Sequence, residues 1–165
     1  MLDYERGESE LKSSPLETLK NKIENRVAVG GVIGLGYVGL PLVQHLCNAG
    51  CRVLGFDVDP LKTESIARGK SYIKHIDSQW IAETVGSGKF IATTDFSRLA
   101  EADCISICVP TPVDGHLAPD LQYVEATAEA ISQYLRPGHL IILESTTYPG
   151  TTAEVLLPLF TRNGL

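Results

Sequence analysis

The sequence predicts a doubly wound α/β domain, a parallel sheet with helices on both faces. Three observations predict it. Five apolar runs rich in Val, Ile and Leu recur at residues 27–34, 51–57, 89–94, 103–108 and 139–144. Helical patterns separate and follow them, and strand–helix alternation is the order that gives parallel strands joined by right-handed crossovers. The stretch 32–40, V-I-G-L-G-Y-V-G-L, places Gly34-x-Gly36-x-x-Gly39 between the end of the first run and the start of a helix.

The elements follow in order. Residues 1–13 are polar and are expected to form a loose tail. Ser14-Pro15-Leu16-Glu17 is a helix start, with Ser as N-cap, Pro at the first helical position and Glu at the capping-box position. Leu16, Leu19 and Ile23 then share one face of a short amphipathic helix ending near Arg26. The α/β domain is expected to occupy 27–165. Its helices are expected near 37–49, 60–69, 78–86, 121–136 and 150–162. The strands at 103–108 and 139–144 (D-C-I-S-I-C and H-L-I-I-L-E) are nearly continuous apolar runs, as for parallel strands covered on both faces. Asp120 stands where an N-cap belongs. Leu121, Val124, Ala128, Ile131 and Leu135 trace one helical face after it, and Arg136-Pro137-Gly138 stops that helix.

Each glycine of the turn has a mechanical role. Gly34 permits the tight exit from the strand, Gly36 permits close approach of a pyrophosphate, and Gly39 permits the helix to pack on the sheet. The helix N-terminus supplies free N–H groups and the positive end of a dipole. The second strand ends in Asp57, 18 residues beyond Gly39, where a carboxylate accepts hydrogen bonds from an adenosine ribose. A carboxylate repels a 2′-phosphate and no Arg follows closely, so NAD is favoured over NADP. Ligands of such sheets lie at the carboxyl ends of the strands, which adds Val109-Pro110-Thr111-Pro112 and Glu144-Ser145-Thr146-Thr147 to the crevice. The hydroxyls of Thr111, Ser145 and Thr146 suit a ribose or a carboxamide. Those of Thr147, Thr151 and Thr152 are read as turn and cap groups.

Bulk properties bound the function. The 165 residues carry a net charge of −6 with 44% hydrophobic content, which suits one globular domain and argues against nucleic acid or an anionic membrane as partner. No apolar stretch has the length of a membrane span, and the start M-L-D-Y-E-R-G-E is too acidic for a signal peptide, so a cytoplasmic location is expected. Cys47, Cys51, Cys104 and Cys108 match no zinc spacing and are read as reduced packing cysteines; no metal is expected. His45, His75, His116 and His139 form no constellation and are read as satisfied or solvated.

Five blocks then name a family. G-L-G-Y-V-G-L-P-L (34–42), G-F-D-V-D (55–59), I-C-V-P-T-P (107–112), P-D-L (119–121) and E-S-T-T-Y-P-G-T-T (144–152) resemble the UDP-glucose/GDP-mannose dehydrogenase family, the nucleotide-sugar 6-dehydrogenases. Ser71-Tyr72-Ile73-Lys74-His75-Ile76, with the last block, is most similar to the branch acting on UDP-N-acetylglucosamine or related UDP-N-acetylhexosamines. The resemblance implies a Rossmann domain and a two-step, NAD-dependent oxidation of the C6 alcohol of a UDP-sugar, a UDP-N-acetylhexosamine or UDP-glucose, to a carboxylate, with a cysteine thiolate trapping the aldehyde-level carbon. It implies backbone N–H groups of Tyr37 and Val38 on the pyrophosphate, Asp57 on the adenosine ribose with Lys62 beside it, and Thr111 on the cofactor. Val109, Pro110 and Ser145 would stand beside them. Thr146 matches a threonine near the nicotinamide that helps to hold the hydrolytic water. Homo-oligomers are implied for the whole enzyme.

The sequence departs from the family pattern at Leu165. The family continues with a sixth strand, a central helix and a second domain bearing the nucleophile in a G-G-H-C-type segment, and none of the four cysteines has that context. The expectation is a cofactor-binding half, inactive on sugar by itself, with a strand edge left open after the fifth strand. Two other readings compete. A β-hydroxyacid-type dehydrogenase shares residues 34–39 but not the later blocks, and a non-catalytic NAD-sensing module would change its association on binding.

Overall fold

The computed structural model describes residues 14–113 and 119–162; the tail expected at 1–13 and His116 lie outside the described residues. Helix α1 (Pro15–Glu24) starts as the sequence predicts, with the Ser14 hydroxyl accepting from the Glu17 N–H at 3.2 Å. Then follow β1 (Val29–Ile33), α2 (Gly39–Asn48), β2 (Arg52–Phe56), α3 (Pro60–Ala67), α4 (Ser78–Gly86) and β3 (Phe90–Thr93). A 3-10 helix at Phe96–Glu101 leads to β4 (Cys104–Ile107), α5 (Gln122–Ser132) and β5 (Leu140–Leu143). A π-helical turn (Thr152–Leu156) runs into α6 (Leu157–Thr161). All five strands are parallel, in the order β3-β2-β1-β4-β5.

Strand alternation builds two cores. Val32 and Val53 face one side with Leu40, Val43, Ile66 and Ile81 from α2, α3 and α4. Their neighbours Ile33 and Leu54 face the other, with Val124, Ala128 and Ile131 from α5 and Leu156 beyond β5. Successive residues of a strand point to opposite faces, so each strand serves both layers. The register is level at the carboxyl rim: Ile33 pairs with Phe56 and Ile107, Phe56 with Thr93, and Ile107 with Leu143. The four loops that carry the candidate site therefore leave the sheet at one height.

Several expectations need correction. β5 is not covered on both faces: Leu140 is exposed and Ile141 to Leu143 are half-buried, because the strand lies at the sheet edge and pairs only with β4. The cap of α5 falls at Leu121, although Asp120 Oδ1 still accepts from the Gln122 N–H at 3.0 Å. That helix ends at Ser132, short of the Arg136-Pro137-Gly138 stop, where Gly138 turns the chain with φ +94°. The turn at 96–101 carries no periodic signal and was not expected; Asp95 caps it through the Ser97 N–H at 3.0 Å. Cys104 is half-buried rather than core, standing at the start of its strand, whereas Cys47 and Cys108 are buried. No helix among the described residues is long and apolar enough to cross a membrane.

Candidate functional site

The turn from β1 to α2 is fixed by sterics and by three side chains. Gly34 has φ +91°, and a Cβ there would lie 2.7 Å from the Cys108 carbonyl oxygen. A Cβ on Gly39 would collide with the Gly34 carbonyl. Gly36 differs, since a Cβ there would meet nothing within 4 Å. The fold requires the first and third glycines; the second is open on the side that a ligand would take.

Leu35, between Gly34 and Gly36, is fully buried. Its side chain fills space left by Gly55, where a Cβ would come within 2.8 Å of Leu35 Cδ2. Its N–H donates to Asp57 Oδ2 at 2.9 Å, and its carbonyl accepts from the Tyr72 hydroxyl at 2.6 Å. Burial, then the charges of Asp57 and Asp59, push the Tyr72 phenol above its usual range, so it remains a donor.

Asp57 is itself buried, with 5% of its surface exposed. Oδ2 also receives Lys62 Nζ at 2.9 Å, and Oδ1 accepts from the Asp59 N–H at 3.0 Å. The sequence-predicted ribose acid is thus a three-way clamp joining the glycine turn, the start of α3 and a lysine. The N-terminus of α2, with Val38 at the cap position, has no side-chain cap. Those of α1, α3 and α4 are capped by Ser14, Asp59 and Asp77. Uncapped amide donors beside an open glycine form an anion-accepting turn.

The cleft above the strand ends measures about 920 Å³. Gly34, Gly36, Tyr37, Val38, Asp57, Lys62, Val109, Pro110, Thr111, Ser145 and Thr146 all line it; Gly39 lies behind, packed on the Gly34 carbonyl. The Ser145 hydroxyl donates to the Val109 carbonyl at 2.7 Å, tying the β5 and β4 loops together, so its proton is already engaged. Thr111 and Thr146 also line the cleft. Thr151 donates to the Tyr148 carbonyl at 2.8 Å, as a turn group should.

Sequence reasoning missed the opposite wall. Tyr123, Ala126, Thr127, Ala130, Gln133 and Tyr134 form a second stripe, on α5 and just past its end, and Val58 and Phe96 extend it. The spacing 123, 126, 127, 130, 133, 134 is helical and adjacent to the buried stripe, so the signal was present. Tyr72 was also missed as a brace, because nothing local marks a contact 37 residues away.

Burial opposes thiolate formation at three of the four cysteines. Burial, then the neighbouring Cys51, pushes Cys47 up to about 11; burial, then Glu144, pushes Cys108 up to about 11. Cys104 is raised by burial, then by Asp103. His45 bonds the Pro41 carbonyl at 2.8 Å, and the His75 ring lies 6.4 Å from that of Tyr37. His139 departs from the satisfied or solvated reading. Its Nδ1 accepts from the Arg136 N–H at 3.3 Å, but its Nε2 is buried with no hydrogen-bond partner. Burial, then the Arg136 charge, holds its pKa below the usual value.

A dinucleotide fits this cleft: an anion-accepting turn sits between an acid-bearing strand end and an apolar helical wall. Comparison with known proteins agrees. The UDP-glucose/GDP-mannose dehydrogenase family, NAD binding domain, matches residues 28–164. UDP-N-acetyl-D-mannosamine dehydrogenase of Escherichia coli K12 is 37% identical over 124 residues, covering 75% of this chain and 29% of that protein. NDP-N-acetyl-D-galactosaminuronic acid dehydrogenase of Ralstonia nicotianae is 37% identical over 125 residues, covering 75% and 29%. The crystal structure of NDP-N-acetyl-D-galactosaminuronic acid dehydrogenase from Methanosarcina mazei superposes with TM-score 0.75 at 33% identity, covering 90% of this chain and 34% of that one. GDP-mannose dehydrogenase from Pseudomonas aeruginosa gives TM-score 0.75 at 32% identity, covering 79% and 31%. The chain spans about three tenths of the length of the curated relatives it matches. With its five-stranded sheet, glycine turn and cleft, this chain belongs to the UDP-glucose/GDP-mannose dehydrogenase family and carries that family's NAD-binding domain.

Proposed function

We propose that this chain is the cofactor-binding part of a dehydrogenase that oxidises the C6 alcohol of a UDP-N-acetylhexosamine to a uronic acid. The observation that carries the reading is the open face of Gly36 beside the uncapped start of α2, in a cleft whose other walls supply an acid and an apolar stripe. NAD, when bound, supplies a hydride acceptor. The amides of Tyr37 and Val38, with Gly36, bind its pyrophosphate; Asp57 takes the adenosine ribose while keeping its clamp on Leu35. Lys62, with Nζ 2.9 Å from that carboxylate, screens it from the phosphates. Val58, Phe96 and Tyr134 give an apolar seat for a base. Val109, Pro110 and Ser145 shape the rim, Thr111 contacts the cofactor, and Thr146 holds a water at the nicotinamide end.

The substrate class rests on the relatives named for N-acetylhexosamine nucleotides and on the segment 71–76. No cysteine in the cleft is activated, so turnover belongs to a longer protein, in which a homo-oligomer is proposed. The test is calorimetry on this chain with NAD, NADP and UDP-N-acetylmannosamine. We expect NAD to bind, NADP to bind at least about tenfold more weakly because the Asp57 carboxylate repels a 2′-phosphate, and no NADH to form on adding the sugar nucleotide. Failure of NAD to bind, equal affinity for NADP, or NADH production by this chain alone would overturn the corresponding part.

A further inference from the structure

Leu35 is held at three points: its side chain in the core, its N–H on Asp57 and its carbonyl on the Tyr72 hydroxyl. The Leu35 carbonyl and the Gly36 N–H belong to one peptide unit. A trans peptide is planar, with C=O and N–H pointing in opposite directions. Fixing the carbonyl on Tyr72 therefore fixes the direction of the Gly36 N–H, away from Tyr72. Gly36 lines the cleft and Tyr72 does not. A hydrogen bond accepted at the carbonyl also polarises the unit and strengthens its N–H as a donor.

The segment that carries Tyr72 is itself rigidly placed. Ile73 and Ile76 are buried in the core, and the Ser71 N–H donates to Ser78 Oγ at 2.9 Å. A second contact reaches the same turn, where the His75 ring lies 6.4 Å from that of Tyr37 at an interplanar angle of 34°.

We propose that Tyr72 is a positioning residue for the dinucleotide pyrophosphate: its hydroxyl holds the Leu35 carbonyl and so aims the Gly36 N–H into the cleft. His75, against Tyr37, steadies the next residue of the turn. This rests on reading the glycine turn as the pyrophosphate cradle. It goes further by making the cradle depend on a side chain outside the cleft, from the loop between α3 and α4.

The test compares NAD, ADP and adenosine binding to the wild-type chain and to Tyr72→Phe, which keeps the ring and removes only the donor. ADP carries the pyrophosphate and adenosine does not. We expect Tyr72→Phe to weaken NAD and ADP about tenfold, to leave adenosine unchanged, and to shift the Gly36 amide resonance. Equal loss for ADP and adenosine would show a merely structural role and overturn the proposal; so would no loss for either. If the wild-type chain bound ADP no better than adenosine, the cradle reading itself would fall, and the proposal with it. Should Tyr72→Phe not fold, His75→Ala removes an exposed ring and is expected to weaken ADP, but not adenosine, about two- to threefold. Unchanged ADP affinity in that variant would overturn the proposal.

Discussion

Lys22 Nζ lies 2.7 Å from Asp103 Oδ1, an ion pair that fastens α1 to the amino end of β4 across 81 residues of sequence. Arg136 reaches the same oxygen at 2.9 Å, and Asp103 Oδ2 accepts from the Val29 N–H at 3.0 Å. The carboxylate is 4% exposed and its two cationic partners are nearly 40% exposed, so the pair is anchored at one end and wet at the other. The nucleotide cleft occupies the opposite end of the sheet, so the clamp acts on stability and not on binding.

Burial alone would raise the Asp103 carboxyl, but the bonds from Lys22, the Val29 N–H and Arg136 outweigh it and hold the carboxyl below its usual value. A depressed folded-state pKa gives stability that is present above the unfolded value of about 3.9 and is lost as pH falls through the folded one. Asp103→Asn is expected to cost about 1–3 kcal/mol at neutral pH. Thermal unfolding against pH checks this: the gap to wild type should close below about pH 4. His139, also held low, has the same sign nearer neutrality, its contribution falling away as pH drops below about 6.5.

The glycines of the turn should separate by phenotype. Gly36→Val places its side chain in open space, so the melting temperature should stay near wild type while NAD binding is lost. Gly39→Ala drives a methyl into the Gly34 carbonyl and should cost about 3 kcal/mol or more. Melting curves beside calorimetry distinguish the two, and a Gly36→Val protein that retained NAD affinity would contradict the assignment.

Asp57→Ala removes the acceptor for the N–H groups of Leu35 and Asp59 and strands Lys62. We expect a loss of about 2–4 kcal/mol in stability together with weaker NAD binding. Denaturant unfolding measures the first and calorimetry the second. An unchanged NAD affinity would remove Asp57 from the binding site and leave it a clamp alone.

Thiol reactivity should follow burial. Cys47 and Cys108, each pushed up to about 11, are almost fully protonated near neutral pH. Timed alkylation read by mass spectrometry should find both modified more slowly than the half-buried Cys51. Rapid labelling of Cys108, which lines the cleft, would argue for an activated thiol there.

Local and periodic signals made the strands, the glycine turn and the acid after β2 legible, because each is a short-range constraint. Alternating burial needs only neighbours, a tight turn needs glycine at a fixed place, and helix caps need a polar side chain two or three residues from an amide. The apolar stripe on α5 was legible too, but its face toward the cleft depended on how that helix sits against β4 and β5.

What the sequence by itself determined was therefore the order of elements, the parallel sheet, the family and the roster of groups at the carboxyl rim. Tertiary structure alone decided how those groups are used. It turned Asp57 from a free ribose acid into a clamp, engaged the Ser145 hydroxyl on Val109, and brought Tyr72 onto Leu35 and Lys22 onto Asp103. These contacts join residues 22 to 81 positions apart. Such pairings are set by how strands and loops stack in space, and no local period in the chain encodes them.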